Sequence, residues 1–290
     1  MFTGALSAIV TPFRDGAIDE PALRDIIEWQ ISEGIQGIVP CGSTGESATL
    51  SHAEHEQVIK IAIEQTRKRV PVVAGTGSNS TAEAIRLTAA AREMGADGAL
   101  LISPYYNKPT QEGIYKHYKM IAQSVDLPLI IYNIPGRTGS NIMAETMARL
   151  CEVRNIVGVK EASGSMDQVS DIHRLCGERL TILSGDDSAT LPLMALGARG
   201  VISVITNVMP REMVNMTAAA NAGDYARARD LHYRMLPLMR ALFIETNPIP
   251  IKHALSLVKR CSAEVRMPLT PMSAAGADKL KTVMKEMRLL

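Results

Sequence analysis

The sequence predicts an α/β chain folded as a (β/α)8 TIM barrel with a C-terminal helical extension. Three observations carry this reading. Eight short apolar runs recur at even spacing, amphipathic stretches separate them, and a helix–Gly–x–x–Gly–strand pattern repeats along the chain. The runs are residues 5–10, 37–40, 70–74, 98–102, 128–132, 156–160, 180–183 and 200–204. They are mostly apolar through both faces, as in parallel strands covered on both sides. Residues 82–94 carry apolar side chains at helical spacing, and Thr81 is read as a cap near the start. In the repeat, Gly34, Gly95 and Gly197 suit helix C′ positions, and Gly37, Gly98 and Gly200 open strands. A doubly wound open sheet is the alternative, since periodicity does not separate the two. Eight evenly spaced strands favour the barrel. Residues 1–222 are assigned to it. Residues 223–290 lack the strand rhythm and read as helices broken by prolines at 237, 248, 250, 268 and 271.

Composition narrows the function classes. The chain has 290 residues, 46% hydrophobic and 21% charged, with a formal net charge of +1. It shows no basic stripe, so nucleic acid and acidic membrane surfaces are poor partners. The longest apolar runs are too short to span a bilayer. The start Met-Phe-Thr-Gly-Ala does not read as a secretory signal. Cys41, Cys151, Cys176 and Cys261 form no C-x-x-C pair and no disulfide framework, which fits a reducing cytoplasm.

Barrel active sites lie at the C-terminal ends of the strands. Here those ends bear Thr11, Gly42-Ser-Thr-Gly-Glu46, Gly75-Thr-Gly77, Ser103 to Asn107, Tyr132-Asn133, Lys160-Glu161, Ser184 to Asp187 and Ser203. Lys160 is the only amine in this ring. It ends the apolar run Ile156-Val-Gly-Val-Lys160, and burial lowers an ammonium pKa. A neutral lysine forms a Schiff base with a ketone or aldehyde. The competing reading is a strand-ending lysine that snorkels to solvent. Hydroxyls and phenols converging on the same mouth favour the Schiff base.

The other motifs each keep an alternative. Gly42-Ser-Thr-Gly45 allows close backbone approach, and free N–H groups at a helix start suit a small carboxylate, but a plain capped turn has the same sequence. No Gly-Lys-Ser/Thr follows, so it is not a phosphate loop. Tyr132 is a proton carrier or a packing residue. Arg137, in Pro135-Gly-Arg-Thr-Gly139, is a bidentate carboxylate clamp or an exposed loop arginine. His52-x-x-His55 imitates a metal pair, yet Ser51-x-x-Glu54 across it is a capping box. Asp186-Asp187 reads as a capping or solvated pair, and the 16 methionines as core filling.

Six segments together resemble the 4-hydroxy-tetrahydrodipicolinate (dihydrodipicolinate) synthase family, within the pyruvate-dependent class I aldolases. They are Gly42-Ser-Thr-Gly-Glu46-Ser, Pro104-Tyr-Tyr-Asn-Lys-Pro109, Tyr132-Asn-Ile-Pro-Gly-Arg-Thr-Gly139, Gly158-Val-Lys-Glu-Ala162, Ser184-Gly-Asp186 and Asn247-Pro-Ile-Pro-Ile-Lys252. The match runs in order from Gly4 to about Lys252. The resemblance implies a homotetramer, a dimer of dimers, that condenses pyruvate with L-aspartate 4-semialdehyde on the diaminopimelate route to lysine. It implies no cofactor and no metal, only the covalent imine of pyruvate with Lys160. Tyr132 would donate and accept protons. Ser43, Tyr132 and Tyr106 would form a relay, with Tyr106 crossing from a neighbouring subunit. Thr44 and Ile202 would hold pyruvate, and Arg137 the semialdehyde carboxylate. Many members have threonine where this chain has Ser43, which leaves the hydroxyl and removes a stiffening methyl. Ser47, Ala48, His52, His55, Ser78, Asn79, Glu83 and Tyr105 look like the L-lysine effector site of feedback-inhibited members. Glu83 would pair the effector's ammonium groups, and Asn79, Ser47 and Tyr105 would bond its carboxylate.

Two rivals follow from the same residues. A sister aldolase acting on sugar acids would share Lys160, Tyr132 and the Ser43-Thr44 loop, without needing Arg137 in its Arg-Thr-Gly setting. A catalytically silent barrel would be expected to lose the amine or the phenols, and this chain has Lys160, Tyr132 and Tyr106.

Overall fold

The structure, a computed structural model, describes residues 2–290. In chain order its strands are β1 (Gly4–Ala8), β2 (Phe13–Arg14), β3 (Ala17–Ile18), β4 (Ile38–Val39), β5 (Val73–Gly75), β6 (Gly98–Ile102), β7 (Leu129–Asn133), β8 (Ile156–Glu161), β9 (Thr181–Ser184) and β10 (Gly200–Ser203). Eight of them form one parallel sheet in the order β4-β1-β10-β9-β8-β7-β6-β5. A parallel bridge between Ile38 and Val72 joins its two ends and closes the barrel. All eight expected strands are present, each within a few residues of its expected bounds. The small hairpin of β2 and β3 was not expected. It turns at Asp15-Gly16, both at positive φ, an Asp-Gly signal that the sequence does contain.

Strand alternation sorts the apolar residues into two cores. Leu6, Ala8, Val39, Val73, Leu100, Ile130, Tyr132, Leu183 and Ile202 pack inside the barrel, with Phe2 against them. Ala5, Ile38, Ala74, Ala99, Leu101, Leu129, Ile131, Val159, Ile182 and Val201 face the helices. Both faces are buried, so the strands read as continuous apolar runs although the side-chain period is still two. Gly34, Gly95 and Gly197 take positive φ, as their C′ reading requires. At Gly200 a Cβ would lie 2.0 Å from the Gly4 carbonyl oxygen, so β10 can enter the sheet there only as glycine.

Beyond the helix Pro210–Asn221 the chain continues as helices Tyr225–Ala241, Ile249–Leu257 and Ala274–Glu286. Two expectations need correction. Pro237 does not break its helix but lies inside Tyr225–Ala241, where buried Met235, Leu238 and Met239 outweigh the lost backbone bond. Thr81 is the first helical residue and not the cap. Ser80 takes the cap position, and the Thr81 hydroxyl pairs with His117 Nδ1 at 2.9 Å.

Candidate active site

Parity along β7 and β8 decides what enters the barrel. Ile131 and Val159 point outward, so Tyr132 and Lys160, one residue on, point inward. The two are register partners, and Lys160 Nζ lies 4.1 Å from the centroid of the Tyr132 ring. Gly185, at the end of β9, lets the lysine stem through, since a Cβ there would meet Lys160 Cε at 3.2 Å. Lys160 is only 6% exposed. Burial brings its amine from 10.5 down to about 7; Asp187 pulls back upward, and the Arg137 charge adds a smaller downward push. Burial also pushes the Tyr132 phenol up to about 12, so it carries its proton at neutral pH. An amine that is about half neutral at pH 7 thus stands on the face of a protonated phenol.

The loop after β4 brings Ser43 and Thr44 to the same mouth. It is a tight turn: the N–H of Gly45 donates to Gly42 O at 3.0 Å and that of Glu46 to Ser43 O at 3.2 Å. The expected free N–H groups of a following helix are absent, because only a three-residue turn, Ser47–Thr49, follows. The Ser47 N–H is itself bonded to Gly42 O, at 3.4 Å. The donors left over sit one step earlier. Among the described residues nothing accepts from the N–H of Ser43 or Thr44. The Thr44 hydroxyl accepts from Asn247 Nδ2 at 3.0 Å. Ile202 is buried in the interior layer opposite Leu6.

A cavity of about 550 Å³ opens beside this mouth. Ser43, Arg137 and Asn247 line one part of it, and Ser47, Ala48, His52, His55, Glu83 and Tyr105 another. Lys160 and Tyr132 are not in its wall, but Ile102, the register partner of Tyr132, is. Arg137 lies on the short helix Pro135–Thr138, and its Nη2 donates to the Asn247 carbonyl at 3.0 Å. Glu83 is engaged on both carboxylate oxygens, by the Ser78 hydroxyl and by His52 Nε2 at 2.9 Å. Asn79 Nδ2 donates to the Tyr105 carbonyl at 3.2 Å. Neither Ser78 nor Asn79 lines the cavity. Ser51 and Glu54 form the expected capping box over His52 and His55. Tyr106 stands apart from all of these. It is 90% exposed and lines no part of the cavity.

The dihydrodipicolinate synthetase family profile matches residues 1–287. The chain belongs to that family. It is 60% identical to the 4-hydroxy-tetrahydrodipicolinate synthase of Syntrophus aciditrophicus, over 290 residues and 100% of both chains. The chloride-inhibited dihydrodipicolinate synthase of Acinetobacter baumannii, solved in complex with pyruvate, is 45% identical with a TM-score of 0.98 over 100% of both chains. The lysine-bound enzyme of Cyanidioschyzon merolae is 39% identical with a TM-score of 0.97, over 100% of this chain and 99% of that one. Membership makes the chain a carbon–carbon lyase that condenses pyruvate with L-aspartate 4-semialdehyde toward diaminopimelate and lysine. The family works through a Schiff base with pyruvate. Among the described residues no helix is long and apolar enough to cross a membrane.

Two charged residues at the mouth escape the sequence reading. Asp186 makes a local turn and is not the helix N-cap, a position Ala189 takes: its Oδ1 accepts from the Ser188 N–H at 2.8 Å. Asp187 differs. It is buried, its Oδ2 accepts from the N–H groups of Val204 and Ile205 at 3.1 and 2.8 Å, and burial pushes it up to about 6. An acid in the loop after β9, the strand beside the lysine-bearing one, was the available signal. The second is Lys252, so Lys160 is not the only amine near the ring. Lys252 comes from the C-terminal helices, which strand-end counting does not reach.

Proposed function

We propose that Lys160 is the amine that carries pyruvate through the condensation. The observation that supports this most is the buried amine, lowered to about 7, on the face of the Tyr132 ring. The Lys160 lone pair adds to C2 of pyruvate. The ketone oxygen takes two protons and leaves as water, which forms the imine. Loss of a C3 proton gives the enamine, whose C3 attacks the aldehyde carbon of the semialdehyde, and the aldehyde oxygen takes up a proton. The amino group of the second substrate then adds to the imine carbon and displaces Lys160, closing the ring. One pyruvate and one semialdehyde give one cyclic product and one water, and the lysine is regenerated. No cofactor or metal enters this sequence.

Each proton step needs a carrier at the mouth. Tyr132 keeps its proton at neutral pH and so donates first. In this reading Ser43 and Tyr106 complete the relay, with serine supplying the hydroxyl that many relatives take from threonine. Tyr106 is too exposed to serve as an isolated phenol, which favours its insertion into the site of a neighbouring copy in a homotetramer. The free N–H groups of Ser43 and Thr44 suit the pyruvate carboxylate, and Ile202 offers an apolar floor for its methyl. Arg137, held by the Asn247 carbonyl, takes the semialdehyde carboxylate.

The effector reading follows the cavity. Ser47, Ala48, His52, His55, Glu83 and Tyr105 share one wall, and L-lysine there acts as a partial feedback inhibitor. Ser78 and Asn79 act behind that wall, by orienting Glu83 and Tyr105. The functional division is residues 1–222 for the amine and 223–290 for groups that close the mouth. A near-zero net charge and free cysteines fit a cytoplasmic enzyme without nucleic-acid or membrane partners. The test is Lys160→Arg beside Tyr132→Phe. The first should lose nearly all turnover, because a guanidinium stays protonated. The second should fold and lose about 10²–10⁴-fold in kcat. Turnover surviving in Lys160→Arg contradicts the assignment.

A further inference from the structure

Glu46 sits two residues after Thr44, in the middle of the turn, with φ +54 in the left-handed region that few non-glycine residues adopt. Such a conformation persists only where the surroundings over-determine it. Both carboxylate oxygens of Glu46 are held. Oε1 accepts from Lys252 Nζ at 2.6 Å, and Oε2 from the Arg266 N–H at 3.0 Å. Lys252 is 0% exposed, on the helix Ile249–Leu257, with its amine 4.1 Å from the Phe13 ring centroid. Asn247, just ahead of that helix, bonds the Thr44 hydroxyl, and Thr11 Oγ1 donates to the Gly45 carbonyl at 2.7 Å. The Ser43-Thr44 turn is therefore fixed largely by residues about 200 positions further along the chain.

We infer that the buried Glu46–Lys252 pair is a positioning device that sets the Ser43-Thr44 turn against bound pyruvate and so makes the C-terminal helices part of the pyruvate site. A fully buried ion pair is a weak source of stability, since apolar residues of similar volume often serve as well. What apolar residues do not do is fix a carboxylate at one point on both of its oxygens. The geometry here assigns the pair to that task. Both carboxylate oxygens of Glu46 are taken by Lys252 and Arg266, so the pair acts through Ser43 and Thr44. The inference rests on the reading that those two residues face pyruvate.

The test uses the full chain with Lys252→Met, Glu46→Gln, the double variant of both, and Glu46→Asp, which keeps the charge but shortens the reach by one methylene. Thr44→Val is the control for the underlying reading. Two quantities are read: the thermal midpoint, and the pyruvate concentration that half-saturates borohydride trapping, a step that needs no second substrate. The single variants Lys252→Met and Glu46→Gln should melt earlier, and the double variant should recover most of the loss. Despite that recovery, half-saturation in the double variant should remain about tenfold weaker than wild type, the loss expected for one misplaced hydrogen bond to a charged group. Glu46→Asp should fold and show the same weakening, and it carries the test if the others do not fold. Wild-type half-saturation in any folded variant of the pair, while Thr44→Val is weakened, overturns the inference. Wild-type half-saturation in Thr44→Val overturns instead the reading that Thr44 meets pyruvate.

Discussion

With Lys160 as the proposed nucleophile, the reactivity of the site depends on how much of that lysine is unprotonated at working pH. With its amine brought down to about 7, half of the molecules carry a nucleophile at pH 7. An ordinary lysine at 10.5 would carry it in roughly 3 of every 10⁴, so burial raises the reactive fraction about 10³-fold. The neutral fraction is about 0.1 at pH 6 and about 0.9 at pH 8. The rate of imine formation at low pyruvate should therefore rise roughly tenfold between these values and then level off. Two variants supply opposite perturbations. Arg137→Met removes a positive charge that holds the amine down, and should move the inflection to higher pH. Asp187→Asn removes the negative charge that holds it up, and should move the inflection lower. Rapid quenching with borohydride across a pH series, with mass detection of the adduct, reads all three curves. Stability carries the same sign. Between pH 7 and 10.5 the unfolded chain holds a proton on this lysine that the folded chain lacks, so the destabilisation from burying Lys160 is full below about 7 and fades as pH rises. Lys160→Met should thus raise the thermal midpoint at pH 6–7 and lose that advantage near pH 10. A rate that climbs tenfold per pH unit through pH 9 without a plateau, or charge variants that shift the inflection in the same direction, would refute the reasoning.

Three further outcomes follow from the geometry. Mixing inactive Tyr106→Phe and Lys160→Ala chains should restore about a quarter of wild-type activity, since half of randomly paired dimers then hold one complete site; no recovery after proven subunit exchange places Tyr106 in its own subunit's site. At pH 8.5, where Lys160 is largely neutral with or without the guanidinium, Arg137→Met should lower kcat/KM for the semialdehyde about 10- to 100-fold and leave pyruvate trapping nearly unchanged. Equal damage to both substrates would make Arg137 a structural prop. Millimolar L-lysine should inhibit the wild type partially, and Glu83→Ala should abolish that inhibition with turnover largely intact; no effect of L-lysine on wild-type rate or midpoint argues against the effector cavity.

The barrel was legible because its strands are short, apolar and evenly spaced, and because Gly34, Gly95 and Gly197 mark helix ends by a conformation other residues resist. The inward placement of Lys160 and Tyr132 was legible for a related reason. A lysine closing an apolar run at a strand's C-terminal end has few places to point. Contacts between residues distant in sequence were not legible. Periodicity shows neither that Asp187 turns inward while Asp186 bonds its own turn, nor that Lys252 travels from the last helices to meet Glu46. The hairpin at Phe13–Ile18 was readable from Asp15-Gly16 and was missed because its strands have only two residues each. Tyr106 is a different case: it is 90% exposed, and the role proposed for it in a neighbour's site would leave no trace within one chain.

The proposed reaction stands on one covalent bond. Pyruvate and borohydride added to the wild-type protein, followed by proteolysis and mass spectrometry, should show one reduced pyruvate per chain, on Lys160. An adduct on Lys252 or any other lysine, or no adduct at all, would contradict it.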